Sequence, residues 1–226
     1  MSHTKILADL KNRKFAPVYL FDGEEPYYID LLSDYIAENV LDEAEKEFNQ
    51  SILYAQDVKP EDLVPVVKRY PMMAEYQVVI VREAQNWRSM DGLESIISNP
   101  VSSTILVINI KGKKADGRSK IPKLIKEKGV YFTSSKLRDS DVPKWINDYC
   151  KAEGLIIDPR AAAMLAEHIG SHLGNLINAF DKLKILVPKG EKITPEHISQ
   201  HVGISKDFNI FELQNALGSR NDYRAL

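Results

Sequence analysis

The feature that most constrains this chain is a series of short, β-branched apolar runs across its first 135 residues, each separated from the next by a stretch with helical periodicity. The runs fall at 17–21, 48–55, 77–81, 104–110 and 130–133, and the segments 77–81 and 104–110 read QVVIV and TILVINI. They do not alternate apolar with polar, as a strand with one wet face does. Both faces of such strands must therefore be covered. The intervening stretches 5–14, 26–40, 61–69, 92–98 and 119–128 repeat apolar residues every three or four positions. Pro26 suits the first turn of its helix, where no N–H is needed, and the helix 119–128 is expected despite Pro122. Helices that alternate with doubly buried strands predict an α/β domain with a mainly parallel sheet. In such sheets ligands sit at the carboxyl ends of the strands. Attention therefore falls on Asp22-Gly23, on Arg82-Glu83 and on the loop after Ile110.

From about residue 139 the strand signal stops. Helices are expected at 140–154 (with Trp145, Ile146 and Tyr149 inward), at 160–169, at 173–186 and from Thr194-Pro195-Glu196 to Gly203. The reading is an α/β domain at 1–138, a helical lid domain at 139–205 and a further helix beginning at 206–226. That last helix breaks off without a cap or turn residue, which reads as a chain cut inside an element.

Composition excludes other classes. With 44% hydrophobic and 27% charged residues the chain has enough apolar surface for a real core, so disorder is excluded. The longest aliphatic runs are too short to span a bilayer, and the N-terminus lacks the apolar core of a signal peptide. The single cysteine, Cys150, cannot form an internal disulfide and suits a reducing cytosol; a soluble cytoplasmic protein is expected. The net charge of −2 conceals segregation: residues 1–110 carry 10 Lys/Arg against 18 Asp/Glu, whereas residues 111–160 carry 13 against 7.

An α/β domain followed by a helical lid is the layout of the AAA+ ATPases, so a nucleotide site has to be tested. A P-loop needs two glycines and a Lys between the first strand and its helix, so that backbone N–H groups wrap the phosphates. Here the turn reads Asp22-Gly23-Glu24-Glu25-Pro26, with no Lys between Lys14 and Lys46. A Walker-B strand would end in Asp-Glu to hold Mg²⁺, but this one ends in Arg82-Glu83. Gly174 stands where a lid helix would offer an Arg. An ATPase-like scaffold without ATPase chemistry follows, with a divergent ATPase as the rival reading. No cofactor or metal is expected: the pairs His168/His172 and His197/His201 have helical i, i+4 spacing but no HExxH context. Cys150 reads as a core thiol.

Two surface features remain. The first is the basic run Lys111, Lys113, Lys114, Arg118 and Lys120 after a central strand, a candidate contact to DNA phosphates or a solvated face. A stand-alone DNA-binding protein is the reading that rests on it. The second is Tyr70-Pro71-Met72-Met73: two adjacent Met residues do not readily face one core from a loop, and an exposed thioether suits an adaptable anchor in a partner's pocket, the plainer alternative being that both cap the local core.

PVYLFDGEEPYYID (17–30), MMAEYQVVIVREA (72–84), Lys114-x-Asp116-x-Arg118-x-Lys120, Trp145-Ile146 with Gly154, NAFDKL (178–183) after Gly170, and NIFELQNA (209–216) stand in one order along nearly the whole chain. Together they resemble the delta subunit of the bacterial DNA polymerase III clamp loader. The resemblance implies an AAA+-like domain, a helical lid and a collar domain of which 206–226 would be the first helix. It implies a non-catalytic subunit of the DNA-directed DNA polymerase III holoenzyme that neither binds nor hydrolyses ATP. Its partners would be the sliding clamp (beta), the motor subunits (tau/gamma), delta-prime and primed DNA. Apolar residues just before the Walker-B-like strand, here Met72 and Met73 with Tyr70 and Pro71 beside them, would enter the clamp's pocket and hold the ring open. Ser134-Ser135-Lys136 lacks the Ser-Arg-Cys finger of the sister subunits, which favours delta.

Overall fold

A computed structural model of the chain describes residues 1–202, which fall into two compact units meeting in sequence at Lys136 and Leu137. The segment 206–226, expected to begin a further helix, lies outside the described residues. The first unit runs α1 (His3–Lys11), β1 (Val18–Gly23), α2 (Pro26–Asn39), α3 (Glu43–Asn49), β2 (Gln50–Tyr54), α4 (Leu63–Val67), β3 (Gln77–Arg82), α5 (Glu94–Ser98), β4 (Thr104–Lys111), α6 (Lys120–Lys128) and β5 (Val130–Ser134). Its five strands are all parallel, in the order β2-β3-β4-β1-β5.

The pleat explains why the strands read as apolar throughout. Alternate residues point to opposite faces, and each set meets its own helices. Val18, Leu20, Val79, Val81, Leu106 and Ile108 pack with residues of α4, α5 and α6. Tyr19, Phe21, Val78, Ile80, Ile105 and Val107 pack with residues of α1 and α2. One slip of register would exchange the two sets and unmake both cores.

Several boundaries differ from the sequence-based expectation. β1 continues through Asp22 and Gly23, because Asp22 is fully buried and Gly23 still pairs in register with Lys111. Residues 43–49 form α3, so β2 starts at Gln50 and not at Phe48. The signal was a capping box, Asp42 with Glu45, two acidic residues in a polar stretch without an apolar stripe. The helix expected over 61–69 is a 3-10 turn at Pro60–Asp62 and a single α-turn ending at Val67.

The second unit contains α7 (Val142–Ala152), β6 (Ile156–Ile157), α8 (Pro159–Ile169), α9 (Leu173–Leu186), β7 (Lys192–Ile193) and α10 (Pro195–His201). The paired two-residue strands β6 and β7 lie in connections between the expected helices, where no strand was expected, and two residues are too few to show a period. Ile146 is buried, but Trp145 and Tyr149 are only half-buried and stack on each other 5.2 Å apart. Cys150 is buried, and burial pushes its thiol up to about 11. Among the described residues no helix is long and apolar enough to cross a membrane.

Candidate functional site: a blocked phosphate turn, a basic groove and an exposed methionine loop

At the carboxyl end of β1, where a phosphate loop would lie, only Glu24 and Glu25 connect strand to helix. Glu25 is buried, and its carboxylate accepts a hydrogen bond from the Tyr27 N–H (3.0 Å) while Pro26 offers none. The N-terminus of α2 is thus capped by the protein's own anion, which opposes a second one there. Gly23 has φ +128, and a Cβ on it would stand 1.9 Å from the Ser134 carbonyl oxygen. Its lack of a side chain serves the close approach of β1 to β5.

The cations at neighbouring strand ends are also paired. Arg82 donates to Asp34 at 2.8 Å, and Lys111 lies 2.6 Å from Asp30; both acids stand on α2. Burial raises the Asp34 carboxyl, outweighing the attraction of Arg82, and the neighbouring Asp30 and Glu38 add to the rise.

The loop after β4 is strapped to these ends. Asp22 accepts from the Ala115 N–H and the Tyr131 hydroxyl, each at 2.7 Å, and the Gly23 N–H donates to Lys113 O. Burial, and then the bond to Asp22, pushes the Tyr131 hydroxyl up to about 12. Lys113 Nζ donates to Gln85 O at 2.9 Å. Lys113, Lys114 and Lys120 line an open groove of about 500 Å³ together with Trp87, Arg88 and Asp116. Within this set Lys120 is paired with Glu94 at 2.6 Å. The structure therefore brings three of the five sequence-selected cations together and adds Arg88. Lys111 is engaged with Asp30, and Arg118 with Asp116 at 3.3 Å. Arg88 was legible only as part of the loop following β3.

The second feature is the loop between α4 and β3. Buried Gln77 donates to Val66 O (2.7 Å) and buried Thr104 to Val67 O (2.9 Å), satisfying carbonyls that the short helix leaves free. Beyond that anchor Tyr70 is 82%, Met72 59% and Met73 100% exposed, and Pro71 is intermediate. Met73 has φ +52, a left-handed conformation that costs a side chain such as Met about 1–2 kcal/mol. Asn49 on α3 pairs with the backbone of Met72, and its chain neighbour Phe48 is 54% exposed. Neither residue was singled out from the sequence, since the contact joins positions 23 apart.

His197 and His201 share α10, but Gly170 ends α8 just after His168 and His172 caps the start of α9, so the expected pair His168/His172 does not stand on one helix. His197 Nδ1 accepts from the Thr194 N–H at the start of α10. Among the described residues no three His, Cys, Asp or Glu side chains converge as metal ligands would.

A parallel sheet in the order β2-β3-β4-β1-β5, covered on both faces and followed in sequence by a mainly helical unit, puts the chain in the AAA+-like α/β class. A family model described as DNA polymerase III, delta subunit matches residues 19–135, and the chain belongs to that family. The DNA polymerase III subunit delta of Bacillus subtilis (strain 168) is 26% identical over 227 residues, covering 96% of this chain and 65% of that protein. The chain thus spans just under two thirds of the length of this curated relative. The solved structure of the Bacillus subtilis DNA clamp loader delta protein matches with a TM-score of 0.79 at 24% identity, over 99% of this chain and 69% of that one. The Thermotoga maritima RuvB Holliday junction branch migration motor matches at TM-score 0.46 and 14% identity, over 97% of this chain and 74% of that one.

Proposed function

We propose that this chain acts as the delta subunit of a DNA polymerase III clamp loader: it docks on the ring-shaped sliding clamp (beta) through Met72 and Met73 and holds one ring interface open. The observation that carries this reading is the exposure of two consecutive Met side chains on a loop whose backbone is tied down. Flexible thioethers fit an irregular apolar pocket, and a few buried anchors supply most of the energy of such an interface. Tyr70 and Pro71 flank the anchor. The energy for opening is a difference in clamp affinity between states of the assembly, so this subunit needs no chemistry of its own.

Three features support action without ATP hydrolysis: the Glu25 cap on α2, the pairing of Arg82 with Asp34, and the packing role of Gly23 against Ser134. ATP would then act through the motor subunits (tau/gamma), with delta-prime completing the assembly. The first test is retention of the cognate clamp by the immobilised protein. A clamp that passes through unbound would contradict the reading.

The groove at Arg88, Lys113 and Lys114 supports a contact with the phosphates of primed DNA in the assembled loader. Charge reversal of Lys113 and Lys114 should weaken DNA binding by the reconstituted loader and flatten its salt dependence by about one to two counterions. An unchanged salt slope would remove the groove from the DNA path.

A further inference from the structure

The loop that carries Met72 and Met73 is gripped by one buried side chain that can touch no partner. Asn49, the last residue of α3, is 1% exposed and uses its whole amide. Its Oδ1 accepts from the Met72 N–H at 2.6 Å, and its Nδ2 donates to the Met72 carbonyl at 2.9 Å and to the Glu45 carbonyl at 3.0 Å. A primary amide that pairs with both backbone groups of one residue acts as a neighbouring strand would, fixing the peptide planes on either side. The third bond, to Glu45, ties the amide to its own helix, so the grip is referenced to α3.

What is held there has no support of its own. Met72 is more than half exposed, and Met73 is wholly exposed in a left-handed conformation that its own packing cannot stabilise. Gln77 and Thr104 hold the end of α4, five or six residues before Met72. At Met72 itself the bonds come from Asn49.

We propose that Asn49 is a positioning residue for clamp docking, which sets the affinity of Met72 and Met73 by ordering their backbone before the clamp arrives. The proposal rests on the reading that these two side chains are the anchor. Its physical content is that the loop's ordering entropy is lost on folding and not on binding. Asn49 thus controls an interface from which it is shielded.

The test measures binding of the cognate sliding clamp to the whole chain, with N49A, N49D and M72A/M73A beside the wild type, well below each variant's unfolding midpoint. Affinity is expressed per folded molecule. N49A should weaken binding about 5- to 20-fold, the range for lost ordering of a short segment. N49D fills the same volume but turns a carboxylate toward the Met72 and Glu45 carbonyls, and should lose at least as much. It carries the test if N49A does not fold. A purely structural role would lower the unfolding midpoint and leave the affinity of the folded molecules at the wild-type value, which overturns the proposal. If M72A/M73A binds as the wild type does, the anchor reading itself fails. If M72A/M73A is weakened and both Asn49 variants bind normally, only the positioning role fails.

Discussion

Replacing Met72 and Met73 together by Ala should cost about 2–4 kcal/mol of clamp binding, on the order of 30- to 700-fold in Kd, while leaving the unfolding midpoint unchanged. The two halves of this expectation come from the same observation. Side chains that are 59% and 100% exposed bury little in the free chain, so their removal leaves the core intact. The same atoms, seated in an apolar pocket, would form the centre of an interface, where truncation removes both contact area and water exclusion. Ala enters the left-handed region at Met73 about as poorly as Met does, so backbone strain is not relieved by the change. Isothermal titration of the clamp, paired with a thermal melt, reads both halves. A stability loss with unchanged affinity would mean that the pair packs against its own chain.

The second large effect concerns folding. Gly23→Ala should destabilise the protein by about 2–5 kcal/mol, from the positive φ and from the overlap together. The added Cβ would stand 1.9 Å from the Ser134 carbonyl oxygen and 2.7 Å from its carbon, and both are backbone atoms that no rotamer change can move. Either the end of β1 must leave β5, which also frees the Glu25 N–H now donated to Ser134 O, or the sheet edge must shift. A denaturant melt should show a lower midpoint with the same slope. Near-wild-type stability would imply that this glycine is kept for room at the α2 N-terminus and not for the approach of β5, reopening the possibility of a ligand there.

Much of the sheet domain was legible because its signal is redundant. Each of β1, β3 and β4 is apolar on both faces, and the amphipathic stretches between them fix the crossover pattern. What escaped was short or polar. α3 announces itself only through Asp42 and Glu45, and β6 and β7 are two residues each. At the candidate site, the Met pair was legible because a loop does not readily bury two adjacent long side chains in one core. Its support was not, since Asn49 reads as the edge of an apolar run until the fold sets it against Met72. The basic run shows the converse limit. Counting charge along the chain cannot reveal that Lys111 is engaged by Asp30 or that Arg88 joins Lys113 and Lys114 across the groove. The phosphate turn was readable from the missing Lys and glycine, whereas the Glu25 cap needed three-dimensional placement.

The proposed function makes the chain a clamp-docking subunit whose own action is independent of ATP. It is tested most directly by titrating labelled cognate sliding clamp with the purified protein, in parallel without nucleotide and with saturating Mg²⁺-ATP. The proposed function requires saturable binding with the same Kd in both series. Absence of binding, or binding that appears only with ATP, would contradict it.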